Sequence, residues 1–435
     1  MSSPSAEAVP TRGREVAAWV LYDWANSAYS TLLITVVLHY VQTIVFPGKF
    51  GAAVYAWSIG LAGFAAAVLS PILGALADAN RNKRFWLAVT ALGGAGMALV
   101  VAALPPTLNW LVIAAIVLMA LLFDLSFVPY NGFLPELADE TTMNRVSAWG
   151  FAAGYLGGAI PLLMAGLVVM LGPRFGLDDP SLQHRAGIAI LGLWWGGFSL
   201  PVIFVLRDRG PPPSQRLPLS PAMRAALREV GRTLANVRRL PVLAWFLLAF
   251  LLYNDGVQTV ITQANTIPTQ RLSFSVTELF LLVLVIQLLA MPGALGIAWL
   301  ADRLGQKRVL LGCLAVWVGL LVAAMLVETK LGFWILGGVL AVVLGGTQSV
   351  SRAVMGVLTP SGREAEFFGF FNLTGKAFSW IGPLVFGVVI YYTDSTALAA
   401  LSLLPLFIGG MAILAMLDVA RGKTQAHGRP LTPEP

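Results

Sequence analysis

The sequence predicts an all-α polytopic membrane protein, with twelve transmembrane helices in two pseudo-symmetric six-helix bundles. Three observations carry this expectation: a deficit of charge, long unalternated apolar runs, and a strict alternation of cationic loops. Of 435 residues, 57% are apolar and 11% charged, against roughly 25% charged in a soluble globular chain. Surface so poor in charge must face something other than water. A spanning helix needs about 20 mostly apolar residues, whereas membrane β-strands appear as short alternating segments. The runs here are long and unalternated, so helices are favoured.

Taken in order, the spans are expected at 16–46, 52–77, 84–104, 108–134, 146–171, 186–206, 241–268, 276–300, 308–328, 331–358, 366–392 and 396–417. Small residues inside them, such as Gly154, Gly157 and Gly158, suit close helix packing in lipid. Alternate loops and both tails hold 21 Lys and Arg residues, and the opposite loops hold five, Lys49, Arg174, Arg185, Arg271 and Lys330. By the positive-inside rule both termini are then cytoplasmic. Adding or removing one helix would destroy the alternation, so the count of twelve has support independent of hydropathy. The polar stretch 207–240 divides the chain into an N-terminal bundle (1–206) and a C-terminal bundle with a short cytoplasmic tail (241–435). It opens on Pro211, Pro212 and Pro213. Arg224, Arg228 and Arg232 then fall on one helical face, with Leu227, Val230, Leu234 and Val237 able to turn the other way. This reads either as an amphipathic helix on the anionic inner leaflet or as a solvated linker.

Several chemistries are excluded. Cys313 is the single cysteine, so no disulfide or cysteine metal site forms within one chain. His39, His184 and His427 are scattered, and no HExxH pair exists. Gly375-Lys376 lacks the following Ser or Thr and the Gly spacing of a phosphate-binding loop. Asn372-Leu373-Thr374 matches a glycosylation pattern but falls inside a span. No cofactor, nucleic-acid partner or nucleophile–base constellation is expected, so the chain does not read as an enzyme. The polar N-terminus is expected to carry no separate cleavable leader.

An internal repeat then appears. Ala77-Asp78-Ala79-Asn80-Arg81-Asn82-Lys83-Arg84 follows span 2, and Ala301-Asp302-Arg303-Leu304-Gly305-Gln306-Lys307-Arg308 follows span 8. They align without gaps. Pro135 and Pro360 end spans 4 and 10, and Gly150-Phe151 and Gly369-Phe370 open spans 5 and 11. Two similar halves fit the parallel-repeat plan of major facilitator transporters. The second copy resembles the loop signature of that superfamily, and the first departs from it, with Arg81 where the signature has Gly. Tyr22-Asp23-Trp24-Ala25-Asn26-Ser27-Ala28-Tyr29, Tyr130-Asn131-Gly132-Phe133-Leu134-Pro135, Gly154-Tyr155-Leu156-Gly157-Gly158, Gly346-Thr347-Gln348-Ser349-Val350-Ser351-Arg352 and Glu366-Phe367-Phe368-Gly369-Phe370-Phe371-Asn372 resemble the vacuole-effluxer-like family. That family contains fungal autophagy-related vacuolar amino-acid effluxers. The resemblance implies the major facilitator fold and, for cargo, an amino acid or similar zwitterion.

An ionisable side chain deep in the bilayer costs about 2.5–3.5 kcal/mol on insertion scales and needs a partner or an aqueous cavity. Asp23, Asp124, Asp255, Arg352 and Lys376 are such residues. Four of the five lie on spans 1, 4, 7 and 10, which surround the central cavity in the major facilitator plan. Helical spacing adds Asn26 and Tyr29 on span 1, Asn254 and Gln258 on span 7, Gln348 on span 10 and Asn372 on span 11, with Asn131 ending span 4. These are the candidates for a substrate or proton pathway. Asp255 and Lys376 are expected to face opposite ends of a zwitterion, and Asp23, Asp124 and Arg352 to serve either substrate or a gate. The repeated Asp78, Arg81, Lys83 and Arg84, and Asp302, Arg303, Lys307 and Arg308, are expected to act as gating loops. The expected function is secondary transport of a small polar solute by alternating access, with protons, acting through Asp23 or Asp255, as the candidate coupling ion and membrane lipids as surroundings. The alternatives are a lipid flippase of the same fold and a transport-dead sensor. A monomer in a bacterial inner membrane is the expected form.

Overall fold

A computed structural model describes residues 8–209, 219–235, 240–263, 266–377, 379 and 381–427. The spans are Gly13–Val45, Phe50–Ala79, Lys83–Ala103, Asn109–Leu137, Met143–Arg174, Pro180–Val205, Pro241–Thr269, Glu278–Leu304, Gln306–Leu326, Lys330–Leu358, Glu364–Thr393 and Thr396–Met416. They are numbered 1 to 12 in this order; spans 7 and 11 run across a few residues outside the described set. Six precede the 207–240 stretch and six follow it. The end of the bundle that carries residue 13 and the tail helix Val419–His427 is called here the terminal end.

Side-chain caps mark where several spans begin. Asp179 accepts the Ser181 N–H at the start of span 6, ahead of Pro180. Ser275 and Glu278 form a reciprocal capping box before span 8, and Thr329 and Ser395 cap spans 10 and 12. Span 1 loosens into π-helical turns at Leu33–Val37 and Val41–Val45. Tyr55 Oη donates to the Leu33 carbonyl there, at 2.9 Å. Each half has its own aromatic centre: Tyr29, Phe123 and Trp195 in the first, Phe246, Trp317 and Phe407 in the second. Large apolar side chains such as Phe204, Leu326 and Met416 are exposed, as lipid-facing surface requires.

The halves meet along two seams, span 2 against span 11 and span 5 against span 8. Glycine permits the approach. A Cβ on Gly369 would sit 2.5 Å from the Ser70 carbonyl oxygen, and one on Gly150 would sit 2.7 Å from Arg352 Nη2 of the opposite half. These are the two glycines that the internal repeat places at equivalent positions.

The linker helix Leu219–Ala235 departs from the sequence expectation. Its inward face is Ala222, Ala226 and Val230, packed on Ile72, Ala75 and Leu76 of span 2 and on Trp86. Small residues let it nest on the bundle, so it is docked rather than simply resting on a leaflet. Leu227 points outward with Met223. Pro211–Pro213 and Val237 lie outside the described residues, as does the Leu234 side chain.

Candidate gating and substrate site

Charged side chains join the halves in three layers, from the terminal end to mid-membrane. The outermost layer is built on the first copy of the repeat. Asp78, at the end of span 2, accepts the backbone N–H groups of Ala365 (3.3 Å) and Glu366 (2.8 Å). This is the opening turn of span 11, where unsatisfied N–H groups and the helix dipole favour an anion. Lys83, its side chain 5% exposed, meets Glu136 at 2.5 Å, Glu364 at 3.2 Å and Asp78 at 3.6 Å. Arg81 donates to the Arg209 carbonyl at 3.0 Å. Arg209 reaches Glu15 at 2.5 Å and the Glu136 carbonyl. The Arg84 N–H donates to Asp208, whose carboxyl is pushed up by burial; the Arg84 side chain is exposed.

The second copy is wired differently. Asp302 accepts from Asn144 Nδ2 at 2.9 Å and lies 3.7 Å from Arg145, both at the start of span 5. Lys307 donates to the Leu417 carbonyl at 2.6 Å rather than to carboxylates. Arg303 lies over the Trp299 ring, 3.9 Å from its centroid, and Arg308 is exposed. One lock is buried and multiply charged; the other is shallow.

Deeper lies Arg352 of span 10. Its Nη1 is 2.9 Å from Asp23 Oδ2 on span 1, with both side chains almost fully buried. Nε donates to Ser147 Oγ at 3.0 Å and Nη2 to the Ser147 carbonyl at 2.6 Å. Its guanidinium stacks over Phe151 and Trp19 at 4.1 and 4.7 Å. A fork of fixed donors suits a site that must hold an anion and a carbonyl together. Nearby, Tyr155 Oη donates to Gln348 Oε1 at 2.9 Å across the same interface.

The third layer is at mid-span. Lys376 of span 11 lies 3.0 Å from Asp124 of span 4, the lysine side chain 40% exposed and the aspartate 9%. Asn372 Nδ2 donates to Ser70 Oγ at 2.7 Å and to the Asp124 carbonyl at 3.1 Å. Lys376 is thus paired with Asp124, whereas the sequence reading set it opposite Asp255. Asp255 is 3% exposed and accepts the Gly382 N–H through Oδ2 at 2.9 Å. Asn254 donates to the Gly375 carbonyl at 3.3 Å. Gln258 is half-buried, one turn on. Tyr29 stacks on Phe123 with centroids 3.8 Å apart. Asn26 Nδ2 and Asn131 Oδ1 are buried without a hydrogen-bond partner.

The sequence reading missed Glu136, Glu364, Ser147, Ser70 and Tyr155. Glu136 and Glu364 carry a faint signal, a lone acid at the edge of an apolar run. The serines carry none, because a hydroxyl in a helix ordinarily bonds back to its own backbone.

Two six-helix sets closed at one end by layered inter-half charges define a membrane transporter of the major facilitator type, and solved structures share this fold. A bacterial homologue of the iron transporter ferroportin, crystallised in an outward-facing state, superposes with a TM-score of 0.68 at 16% identity, covering 93% of this chain and 98% of that one. The human organic anion transporter MFSD10 gives 0.70 at 16% identity, over 94% and 100%. The chain belongs to the family described as vacuole effluxer Atg22 like, whose model matches residues 50–427. It is 33% identical over 409 residues to the uncharacterized MFS-type transporter YxiO of Bacillus subtilis (strain 168), covering 92% of this chain and 94% of that one. It is 27% identical over 302 residues to autophagy-related protein 22-1 of Penicillium rubens, covering 65% of this chain and 50% of that protein. The chain thus spans about half the length of this fungal relative.

Proposed function

We propose that this protein is a secondary transporter that carries an amino acid or similar small zwitterion by alternating access, with its terminal end in the cytoplasm. The Lys376–Asp124 pair is the observation that carries the reading. One charge belongs to each half, and the lysine is accessible at mid-depth. Between it and the terminal end lie the Arg352–Asp23 layer and the Lys83 cluster, so solutes reach it from the opposite end. A zwitterion can replace the pair charge for charge, its ammonium on Asp124 and its carboxylate on Lys376. Each charge keeps a partner, while the direct tie between the halves is released. Binding then favours a state in which the halves are free to rock. The family's description as effluxers and the transporter named among the relatives support this reading.

Binding of an amino acid, its amide and its decarboxylated amine to purified protein tests it. Losing one buried charged contact costs about 2–5 kcal/mol, or roughly 30-fold to several thousand-fold in affinity. Lys376→Gln should lose that much for the amino acid and little for the amine. Asp124→Asn should weaken every ligand that carries an ammonium. Unchanged affinity in both variants would overturn the zwitterion site.

A further inference from the structure

Three carboxylates lie deep in the spans, and the structure treats them unequally. Asp23 and Asp124 each face a cation of the opposite half, at 2.9 and 3.0 Å. Asp255 faces none. It is 3% exposed; Oδ2 takes the Gly382 N–H at 2.9 Å, and Oδ1 has no hydrogen-bond partner among the described residues. We propose that Asp255 is the proton-binding site of this transporter, carrying the proton on Oδ1 while the terminal end is shut. This inference rests on the transport reading for its consequence but not for the site itself.

The surroundings support a neutral acid. The span carrying Asp255 packs on span 11, span 12, span 10 and the tail helix. Span 12, Thr396–Met416, contains no ionisable residue. Span 10 offers Arg352, committed to Asp23 and Ser147. Span 11 offers Lys376, committed to Asp124; its Glu364 and Glu366 belong to the terminal end, bound to Lys83 and Arg363. The tail helix meets span 7 at Val242, more than three turns away. On span 7 itself, Tyr253 shares a hydrogen bond with Ser351. An ionised carboxylate here would be buried with one hydrogen bond and no counter-charge among the described residues, at a cost of several kcal/mol. A proton on Oδ1 removes that cost and leaves Oδ2 as the carbonyl-like acceptor that Gly382 already uses.

The same residues connect the site to substrate. Asn254 holds the Gly375 carbonyl, and Asp255 holds the Gly382 N–H. Span 7 therefore grips span 11 on both sides of Lys376. When Asp255 gives its proton to water, the new anion needs a counter-charge. Lys376 is the cation on the segment it grips, so deprotonation competes with Asp124 for that lysine. A proton lost at Asp255 thereby weakens the tie across the halves, and a substrate that takes Lys376 stabilises the protonated acid. This is reciprocal linkage between proton and substrate.

The test uses full-length protein. Infrared difference spectra recorded across a pH step should show a protonated-carboxyl band that Asp255→Asn lacks. In liposomes with the membrane potential clamped, an inward pH gradient should accumulate a labelled amino acid, by up to about tenfold per pH unit for one proton per substrate. In Asp255→Asn that stimulation should fall to onefold, whatever exchange rate remains, and Asp255→Glu should restore part of it. Absence of the band in the wild type would overturn the proton site, and needs neither a substrate nor a folded variant. Undiminished gradient stimulation in Asp255→Asn, or accumulation driven by sodium at clamped pH, would overturn its coupling role. A wild type that shows the band but exchanges no amino acid would overturn the substrate reading and leave the proton site standing.

Discussion

The arginine at position 352 is held by an anion, a hydroxyl, a carbonyl and two aromatic faces. So complete a shell is what a guanidinium needs to be buried, and breaking it from one side is costly. Asp23→Asn leaves the cation without its counter-ion, which in buried pairs costs about 3–5 kcal/mol. Arg352→Gln strands the aspartate similarly. The double variant should lose less than the sum of the singles, because neither charge is left behind. Thermal unfolding of the three variants in detergent checks this, and simple additivity would mean that the two residues do not act as a pair. Both were legible in the sequence, since a charge inside an apolar run must find a partner. Which partner was not legible. Lys376 could have met Asp255 or Asp124, and helical periodicity fixes the face of one helix without fixing how two helices from opposite halves are rotated and offset.

The repeated loop shows how a position can keep a positive φ after losing the residue that favours it. Gly305 has φ 89, and Arg81 at the matching position of the first copy has φ 45. A positive φ is therefore common to both turns, but the backbones differ: Gly305, with ψ 142, lies outside the left-handed helical region and alone joins its two helices, whereas Asn80, Arg81 and Asn82 separate the helices of the first copy. Left-handed geometry costs an ordinary residue about 1–2 kcal/mol, and the hydrogen bond from Arg81 to the Arg209 carbonyl offsets about 1. Arg81→Gly should accordingly be close to neutral in stability. Gly305→Val meets the full penalty and should destabilise by at least about 1–2 kcal/mol. Thermal shifts measured side by side would separate the two, and equal losses would contradict the account. The loop was readable as a motif because its residues are contiguous. The partners of Lys83 were not, because Glu136 and Glu364 come from spans 4 and 11 and meet it only after the halves close. Nor was the docking of the linker helix, whose contact face is alanine rather than the larger apolar residues that a pattern search weights.

At the scale of the whole molecule, twelve spans and two halves followed from charge placement and the repeat, because lipid imposes so strict a rule on where charges go. The uneven depth of the two locks did not. Lys83 is 5% exposed among its three acids, whereas Asp302 and its neighbour Arg145 are 25% and 54% exposed. Dissolved ions therefore approach the second pair more readily than the first. At about 0.15 M salt the Debye length is roughly 8 Å in water, and that screening acts weakly on buried pairs. The shut conformation should therefore hold with nearly the same strength from dilute buffer to about 0.5 M potassium chloride. Accessibility of a single engineered cysteine placed between the halves at the end opposite the terminal end, followed through such a titration, reads this out, and a steep change would mean that the shallow contacts dominate. In the proposed orientation, a cell whose internal ionic strength rises under osmotic stress would then find this transporter's resting conformation nearly unmoved, its closure set by charges that the surrounding electrolyte screens only weakly.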